Sequence, residues 1–588
     1  MSSNERFTPP RKKHNVLWWI GGAFLLLVVL FLFQLFGPSP RIVVSPQTTF
    51  ITEPLGPNGL PDYERYILEL SREGVTPENN AAVLIWQALF PGELDPKFHA
   101  AIADELGLSQ LPFRADSLEP LQGKANRLAM AALLAERAST IDNEDKDGGP
   151  SADDKASFWN DPNSPAVEQV LEQAMRRPWK SADLPPLADW AATNETPLNL
   201  LVAASRRPRY YFPSPTLLND ERELLVEMLL PHVQSVREAG RSLAARAMWH
   251  LGEGRPEQAW RDLLALHRLS FLVSQGHWLV EQLVATAMSG IACEGSVTLL
   301  HEAKLTPEQA RTIQRNLAAL PNFAVMARSL DETERLAALD AIVRLGSGSG
   351  EEMFSALGGQ GDFGGGVFDV VSIDWNYVLR NTNRWYDQLV EAVRSQDRLT
   401  RTAALAKFDA KIQKLYQEAR SPGRMLAGVV SRQQRSEFVS AMMLSLFVPA
   451  LPAVTNAEDR ANTTLELTRV AAALAVYRAE HGEYPEKLEA LVPNVVEKLP
   501  ADLYHAKPLL YKRLADGFLL YSAGENGVDD GGSNAQMEKL HGKSLNDLDK
   551  ATKQQSAPMI PAGADDSSIR AERRVFEWPR RTPTDGEP

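Results

Sequence analysis

A long hydrophobic segment near the N-terminus is the clearest pattern in the chain, because Val16 to Phe36 contains no charged residue. At about 1.5 Å per residue, a helix of this length spans roughly 31 Å, which matches a hydrocarbon core of about 30 Å. Three cations, Arg11, Lys12 and Lys13, precede the segment, and such cations favour the cytoplasmic side of a membrane. The pattern predicts a membrane-spanning helix with a cytoplasmic N-terminus and the long remainder of the chain outside.

A cleaved signal peptide is the alternative for this segment. The hydrophobic run is longer than a signal peptide needs, and Phe36-Gly37-Pro38 lacks the small residues of a cleavage site. We therefore expect a cytoplasmic tail at 1–15, an uncleaved transmembrane signal anchor at 16–36 and, from its Pro, Gly, Thr and Ser content, a linker at 37–60. In a bacterium, this describes a single-pass inner-membrane protein whose bulk is periplasmic.

Hydrophobic residues then recur at helical spacing over 61–345 and again over 367–455, which predicts a helical domain and its continuation. The intervening 346–366 is rich in glycine, and we interpret it as a linker or a loop. Thr306-Pro307-Glu308-Gln309 combines an N-cap, a first-turn proline and a capping-box glutamine, so a helix should begin there. A break at Leu251 to Pro256 predicts a hairpin of two helices.

The end of the chain changes from helical spacing to short alternating runs. Ala457 to His481 has the pattern of one helix, and Gly482 follows it at a position that favours a positive φ. Leu509 to Arg513 and Phe518 to Ser522 have the pattern of two strands of a hairpin. We predict a small α+β module, a long helix plus a short antiparallel sheet, at 456–535.

The fold class predicted for the whole chain is therefore mainly α, with a transmembrane helix, a large irregular helical body and the α+β module. The remaining residues, 536–588, are polar and aperiodic, so we expect them to be mostly disordered. Arg573 to Trp578 is the one part of this tail whose pattern predicts a returning strand.

Charge and cysteine content narrow the function classes. The 588 residues carry a formal net charge of -13, and an acidic chain repels phosphate backbones, so we expect no nucleic-acid partner. The single cysteine, Cys293, cannot form a disulfide within the chain, and its apolar helical context predicts a buried core residue.

The predicted module carries a set of motifs in a fixed order. Gly482-Glu483-Tyr484-Pro485 follows the long helix, Leu488 to Leu491 comes next, and Tyr521-Ser522-Ala523-Gly524 leads into an acidic, glycine-rich loop. This layout resembles the periplasmic module of type II secretion pseudopilins over residues 456–535. The resemblance implies an envelope compartment and a small α+β fold.

Two departures limit what the resemblance implies. The predicted membrane helix does not run into the module, and no prepilin peptidase motif precedes Val16. We therefore do not expect the chain to be processed and packed as a pilin. A second resemblance lies in Gly74 to Asn80, which is similar to the opening of the helical body in a group of bacterial envelope proteins. That resemblance implies no activity.

A calcium site is a further implication, because in the pseudopilin family the acidic loop can hold Ca²⁺. Asn526, Asp529 and Asp530 are the candidate ligands, and Asp565 and Asp566 correspond to the later acid of the family. Calcium takes several converging oxygens, and glycines let backbone carbonyls turn inward. The alternative is a solvated hairpin loop that binds no metal.

Other acidic patterns carry competing interpretations. Asn143 to Asp154 is spaced partly like an EF-hand loop, although an acidic surface loop accounts for it better. Asp374 and Asp387 lie beside aromatic residues, as acids do in sugar-processing sites, although helix packing produces the same pattern.

Three functional hypotheses follow. The first is a non-catalytic envelope protein of structural or interaction type, anchored in the inner membrane and bound to a protein partner that the sequence does not identify. The second is an accessory component of a type II secretion or pilus-like machine. The third is an envelope hydrolase that uses the acid–aromatic pairs.

Overall fold

The computed structural model describes residues 14–89, 95–110, 117–141, 161–214, 225, 231–324, 326–348, 371–395, 397–419, 421, 423, 431–447, 451–533 and 567–571. Over these residues the protein is mainly helical, at 64%, with a small three-stranded antiparallel sheet. The predicted fold class is confirmed at that level. The EF-hand-like run, residues 349–366 of the glycine-rich segment, Asp565 and Asp566, and the predicted strand Arg573 to Trp578 lie outside the described residues.

The helices follow one another through nearly the whole described chain. In chain order they are α1 His14–Phe36, α2 Tyr63–Arg72, α3 Ala81–Ala88, α4 His99–Glu105, α5 Lys124–Ile141, α6 Pro165–Arg176, α7 Pro185–Thr193, α8 Glu195–Ala204, α9 Pro231–Gly252, α10 Pro256–Val273, α11 Leu279–Glu302, α12 Pro307–Ala318, α13 Met326–Ser329, α14 Arg335–Gly346, α15 Trp375–Arg394, α16 Arg398–Ala419, α17 Arg432–Phe447 and α18 Leu451–His481. A π-helical turn, Leu330–Glu334, joins α13 to α14.

Local sequence signals account for several of these boundaries. Thr306 caps α12 with the predicted capping box, and the hairpin break falls between Gly252 and Pro256, so both predictions are confirmed. Gly482 has φ 85° after α18, as predicted for that position. The predicted start of α18 at Ala457 is wrong, because the helix already begins at Leu451.

The sheet consists of β1 Leu510–Leu514, β2 Gly517–Ser522 and β3 Ser567–Ala571, with β2 in the centre. Both neighbours pair with β2 in antiparallel register, Leu510 opposite Tyr521 and Ser522 opposite Ser567. The third strand lies in the tail for which we predicted mostly disorder, and for these five residues that prediction is corrected. Ile569 and Ala571 are buried, which supplies the reason for their order.

The largest hydrophobic core is shared by the helical body and the C-terminal module. It contains Leu266 of α10 and Cys293 of α11 together with Leu474 of α18 and Leu520 of β2. The helix α18 packs against α11 and α12, and β3 also contacts both α11 and α18. The module is therefore part of the body's core, a point that the sequence left open.

Arginines of α18 reinforce this packing by binding the C-terminal ends of the two helices beneath it. The Arg478 guanidinium donates to the carbonyls of Leu300 at 2.9 Å and His301 at 2.8 Å, at the end of α11. Arg469 donates to the carbonyls of Leu317 and Leu320 at the end of α12. The last carbonyls of a helix lack intrahelical donors and carry partial negative charge. A guanidinium there supplies the missing donors and also a favourable positive charge.

The segment that composition predicts as a linker, 37–60, packs against α15. The side chain of Asn376 donates to the carbonyl of Arg41 at 2.8 Å, and Asn383 donates to the carbonyl of Thr48 at 2.8 Å. Thr48 and Thr49 are buried. These contacts fix the path of the chain between α1 and α2.

Candidate functional site

The first candidate site is the exposed apolar surface of α1. Most of its described side chains are exposed, with Phe24 68%, Leu27 64% and Phe33 58% exposed. Such a continuous apolar surface is unfavourable in water and is typical of a membrane or protein contact. The apolar part of this helix whose side chains are described runs from Ala23 to Phe36, with Gln34 as its one polar residue.

One helix of the described chain, Leu279–Glu302, is long and apolar enough to cross a membrane by length and composition. However, 72% of its most apolar window is buried inside the protein. This helix, α11, contributes many residues to the main core, and burial of most of its length accounts for its apolar composition.

The C-terminal end of α1 is joined tightly to the body. The backbone amide of Ser372 donates to the carbonyl of Leu35 at 2.8 Å. The guanidinium of Arg435, on α17, donates to the carbonyl of Gln34 and, at 3.1 Å, to that of Ser372. Arg435 is only 8% exposed, and burial lowers the pKa of its guanidinium. A buried cation therefore holds the end of α1 in the same way that Arg478 holds α11.

The second candidate site is the acidic loop after β2. Asp529 accepts hydrogen bonds from the Tyr521 hydroxyl at 2.9 Å and from the Gly531 amide at 3.0 Å. Asn526 donates to the Asp530 carboxylate at 3.1 Å. The structure thus brings the three predicted ligands into one exposed turn, with positive φ at the glycines within it.

The turn carries oxygen ligands of the type that calcium prefers, but too few of them are free to bind an ion. Asn526 Oδ1 already accepts from the Val528 amide at 2.7 Å, so the predicted oxygens are engaged within the loop. Across the described residues, no cluster of three or more His, Cys, Asp and Glu side chains is placed to hold a metal ion. The described oxygens alone would form an incomplete calcium shell, since calcium takes six to eight.

A residue that the sequence analysis missed, Asp502, anchors the start of the acidic loop to the segment that precedes β1. It is 4% exposed, and its carboxylate accepts from the Tyr504 amide and the Ser522 hydroxyl, both at 2.8 Å, and from the Ala523 amide at 3.2 Å. A nearby ring nitrogen of His505 bonds the Gly524 carbonyl at 2.8 Å. The only sequence signal for this role is an acid eight residues before a strand, which is too general to identify it.

The same loop contacts α16 through a buried ion cluster. Arg398 donates to Asp459 at 2.9 Å, lies 4.1 Å from the centre of the Tyr504 ring, and approaches Glu525 to 3.8 Å. Asn456 of α18 also donates to Glu525 at 3.1 Å. The loop is therefore tied at its start to both α16 and α18.

The two acids proposed for a hydrolase are not brought together. Asp374 caps the start of α15 by accepting from the Tyr377 amide, whereas Asp387 pairs with Arg335 at 2.8 Å. They lie 13 residues apart on one helix, which places them roughly 20 Å apart. Each has a structural partner, so this pair supports no hydrolytic site.

Burial also accounts for Cys293 and for two ionisable groups of the helical body, His250 and Asp262. Cys293 is 1% exposed, as predicted, and burial raises the pKa of its thiol to about 11. Desolvation, with Arg255 next in effect, lowers the pKa of His250 to about 3, which keeps this imidazole neutral. Asp262 is fully buried between α9 and α10 and accepts two hydrogen bonds from Arg246. Of these groups, the Arg246–Asp262 pair joins α9 to α10.

Comparison with known proteins found no matching family model, no matching curated protein and no matching solved structure.

We predict that Asp502→Ala releases the acidic loop while leaving the helical body folded. The substitution removes three acceptor contacts and leaves a buried donor unpaired, which costs about 1–3 kcal/mol. Limited proteolysis and hydrogen exchange should show faster cleavage and exchange at 501–507 and 522–530 only. Asp516→Ala, in the exposed hairpin turn, is the matched control and should behave like the parent protein. Equal protection of the loop in both variants would contradict the anchoring role.

Proposed function

We propose that this protein is a membrane-anchored, periplasmic scaffold of structural or interaction type, and that it holds its C-terminal module at a fixed position relative to the bilayer. The observation that carries the proposal is the combination of an uncovered apolar helix, α1, with a hydrogen-bonded joint at its C-terminal end. An anchor alone would tether the chain; the Arg435 joint also orients it.

Continuity from the joint to the module supports this role. The segment 37–60 lies against α15, to which two asparagine side chains bind it. Helix α15 in turn packs on α14, α16 and α17. Arg398 on α16 then reaches Asp459 of α18. Each step is a side chain or helix contact, so a displacement of α1 would be passed to the module without a described hinge between them.

The anchor hypothesis predicts that charges in the middle of α1 release the protein from the membrane. Leu26→Arg combined with Leu30→Arg places two cations on one face of the helix, at about 2.5–3.5 kcal/mol each in the bilayer centre. The parent protein should remain in the membrane pellet after alkaline carbonate extraction, and this variant should enter the supernatant. Leu26→Ile with Leu30→Ile is the control. A parent protein found entirely in the soluble fraction would sink the proposal.

Topology can be tested in the same cells, because the lone native Cys293 is buried and gives a low labelling background. A membrane-impermeant maleimide applied to intact spheroplasts should label Lys512→Cys, which is exposed on β1. It should label Ser3→Cys only after permeabilisation. The reverse pattern would place the body in the cytoplasm and contradict a periplasmic scaffold.

Calcium binding by the acidic loop is a separate proposal, supported by the convergence of Asn526, Asp529 and Asp530 on one glycine-rich turn. Calorimetry on the full chain in detergent should detect Ca²⁺ uptake that is lost in Asp529→Asn/Asp530→Asn. The same variant should lose any calcium-dependent increase in the melting temperature. Asp397→Asn, at an exposed acid that immediately precedes α16, is the control. Absence of uptake by the parent protein would leave the loop a solvated hairpin.

The role as an accessory of a type II secretion or pilus-like machine rests on the resemblance of the module alone. One face of α18 is already covered by α11 and α12, so a pilin subunit would have to bind the sheet or the acidic loop. Site-specific crosslinking from Lys512 to pilin subunits would favour this role over a general scaffold.

A further inference from the structure

A small cavity lies between the end of α2, the start of α11 and the segment after α8. It has a volume of about 20 Å³, measured as the space open to the centre of a water molecule, and it is partly open to solvent. Its lining residues are Ser71, Tyr210, Tyr211, Phe212, Ser214, Gly276, His277, Trp278 and Glu281. A space of this size holds one species as large as water.

The charge in this cavity comes from Glu281. The side chain is 5% exposed, and its carboxylate accepts from His232 Nε2 at 3.1 Å and from the Trp278 amide at 3.1 Å. Neither a lysine nor an arginine contacts it in the described structure. A buried carboxylate ordinarily has a cationic partner, because leaving its charge unpaired is costly.

Gly276 makes room for this carboxylate. A Cβ atom on Gly276 would lie 2.2 Å from Glu281 Oε2, so any larger residue would displace the acid from the cavity wall. The backbone around Gly276 is held in turn by Gln282 and Arg328, which both donate to its carbonyl. The acid is thus built into the wall by its neighbours.

A second polar group of the cavity lacks a partner. Tyr210 is 4% exposed, and its hydroxyl makes no hydrogen bond in the structure. Burial, followed by the charge of Glu281, raises the pKa of this phenol well above its ordinary value, so the hydroxyl stays protonated. Buried hydroxyls are nearly always hydrogen-bonded, and the adjacent cavity is where the missing partner would lie.

We propose that this cavity binds an ammonium group, either the free ion or the head of a small primary amine. Size admits one non-hydrogen atom, the Glu281 carboxylate sets the sign of the charge, and the Tyr210 hydroxyl supplies a second oxygen. The aromatic lining of Tyr211, Phe212 and Trp278 also suits a cation, since aromatic rings attract ammonium groups. The partly open side leaves a path for the carbon chain of an amine.

His232 is the competing source of positive charge. Its ring stacks on Phe212 at 3.7 Å between centroids, and its Nδ1 is buried without a partner. A protonated His232 would neutralise Glu281 and leave the cavity to a water molecule. The two arrangements differ in whether an added ammonium salt stabilises the protein.

The test is thermal melting of the full chain in detergent at constant ionic strength. Ammonium chloride and methylammonium chloride should raise the melting temperature by at least about 1 °C over sodium chloride, because a ligand that binds only the folded state stabilises it. Tetramethylammonium chloride, which is too large for the cavity, should not. The increase should disappear in Glu281→Gln and in Tyr210→Phe, the second of which keeps the volume of the ring.

Tyr386→Phe is the matched control, because Tyr386 is equally buried but donates to the carbonyl of Glu334 away from the cavity. This variant should melt lower and keep the ammonium response. Identical melting of the parent in all four salts would overturn the proposal in favour of a water-filled cavity, as would an ammonium response that persists in both cavity variants. The outcome is independent of membrane anchoring and of calcium binding.

Discussion

The C-terminal ends of helices that finish inside or beside the core impose the constraint on which this structure depends. Their last carbonyls need donors, and here the donors are arginines from distant parts of the chain. Arg478 and Arg469 serve α11 and α12, Arg328 donates to the carbonyls that follow α10, and Arg435 serves α1. A guanidinium suits this task because it carries five donors and a permanent charge.

This repeated contact explains how such different parts form one unit. The same α18 helix that begins the C-terminal module supplies two of the four arginines, and α17 supplies the one that holds α1. Helix α1 and the module are therefore attached to the body by charged hydrogen bonds as well as by apolar packing. Tyr484, which follows α18, extends the junction by accepting from Arg478 at 2.9 Å.

Sequence patterns predicted the features that depend on neighbouring residues. The capping box at Thr306, the break before Pro256 and the glycine after α18 are all local, and the structure contains them. The start of α3 depends on a distant contact: the helix begins at Ala81 with Asn80 as its cap, and the Asn80 side chain also binds the backbone of Tyr211. The arginine contacts, the role of Asp502 and the pairing of β3 likewise join residues far apart in sequence.

The candidate sites also differ in whether their residues are neighbours in sequence. The acidic loop and the apolar helix were recognisable because their residues are consecutive. The Glu281 cavity was not, since its wall combines α2, the segment after α8 and α11, and nothing in the spacing of Tyr210 and Glu281 marks them as neighbours.

The most direct test of this account is hydrogen exchange on Arg469→Ala/Arg478→Ala. Removing charged donors from the ends of α11 and α12 costs about 1.5–3 kcal/mol for each arginine. The account predicts that amides of α18, β1 and β2 lose protection together, while α15 and α17 retain it; Arg513→Ala, in an exposed ion pair, should change little. Unchanged protection of α18 and the sheet in the double variant would show that apolar packing alone holds the module to the body, and would contradict the central claim.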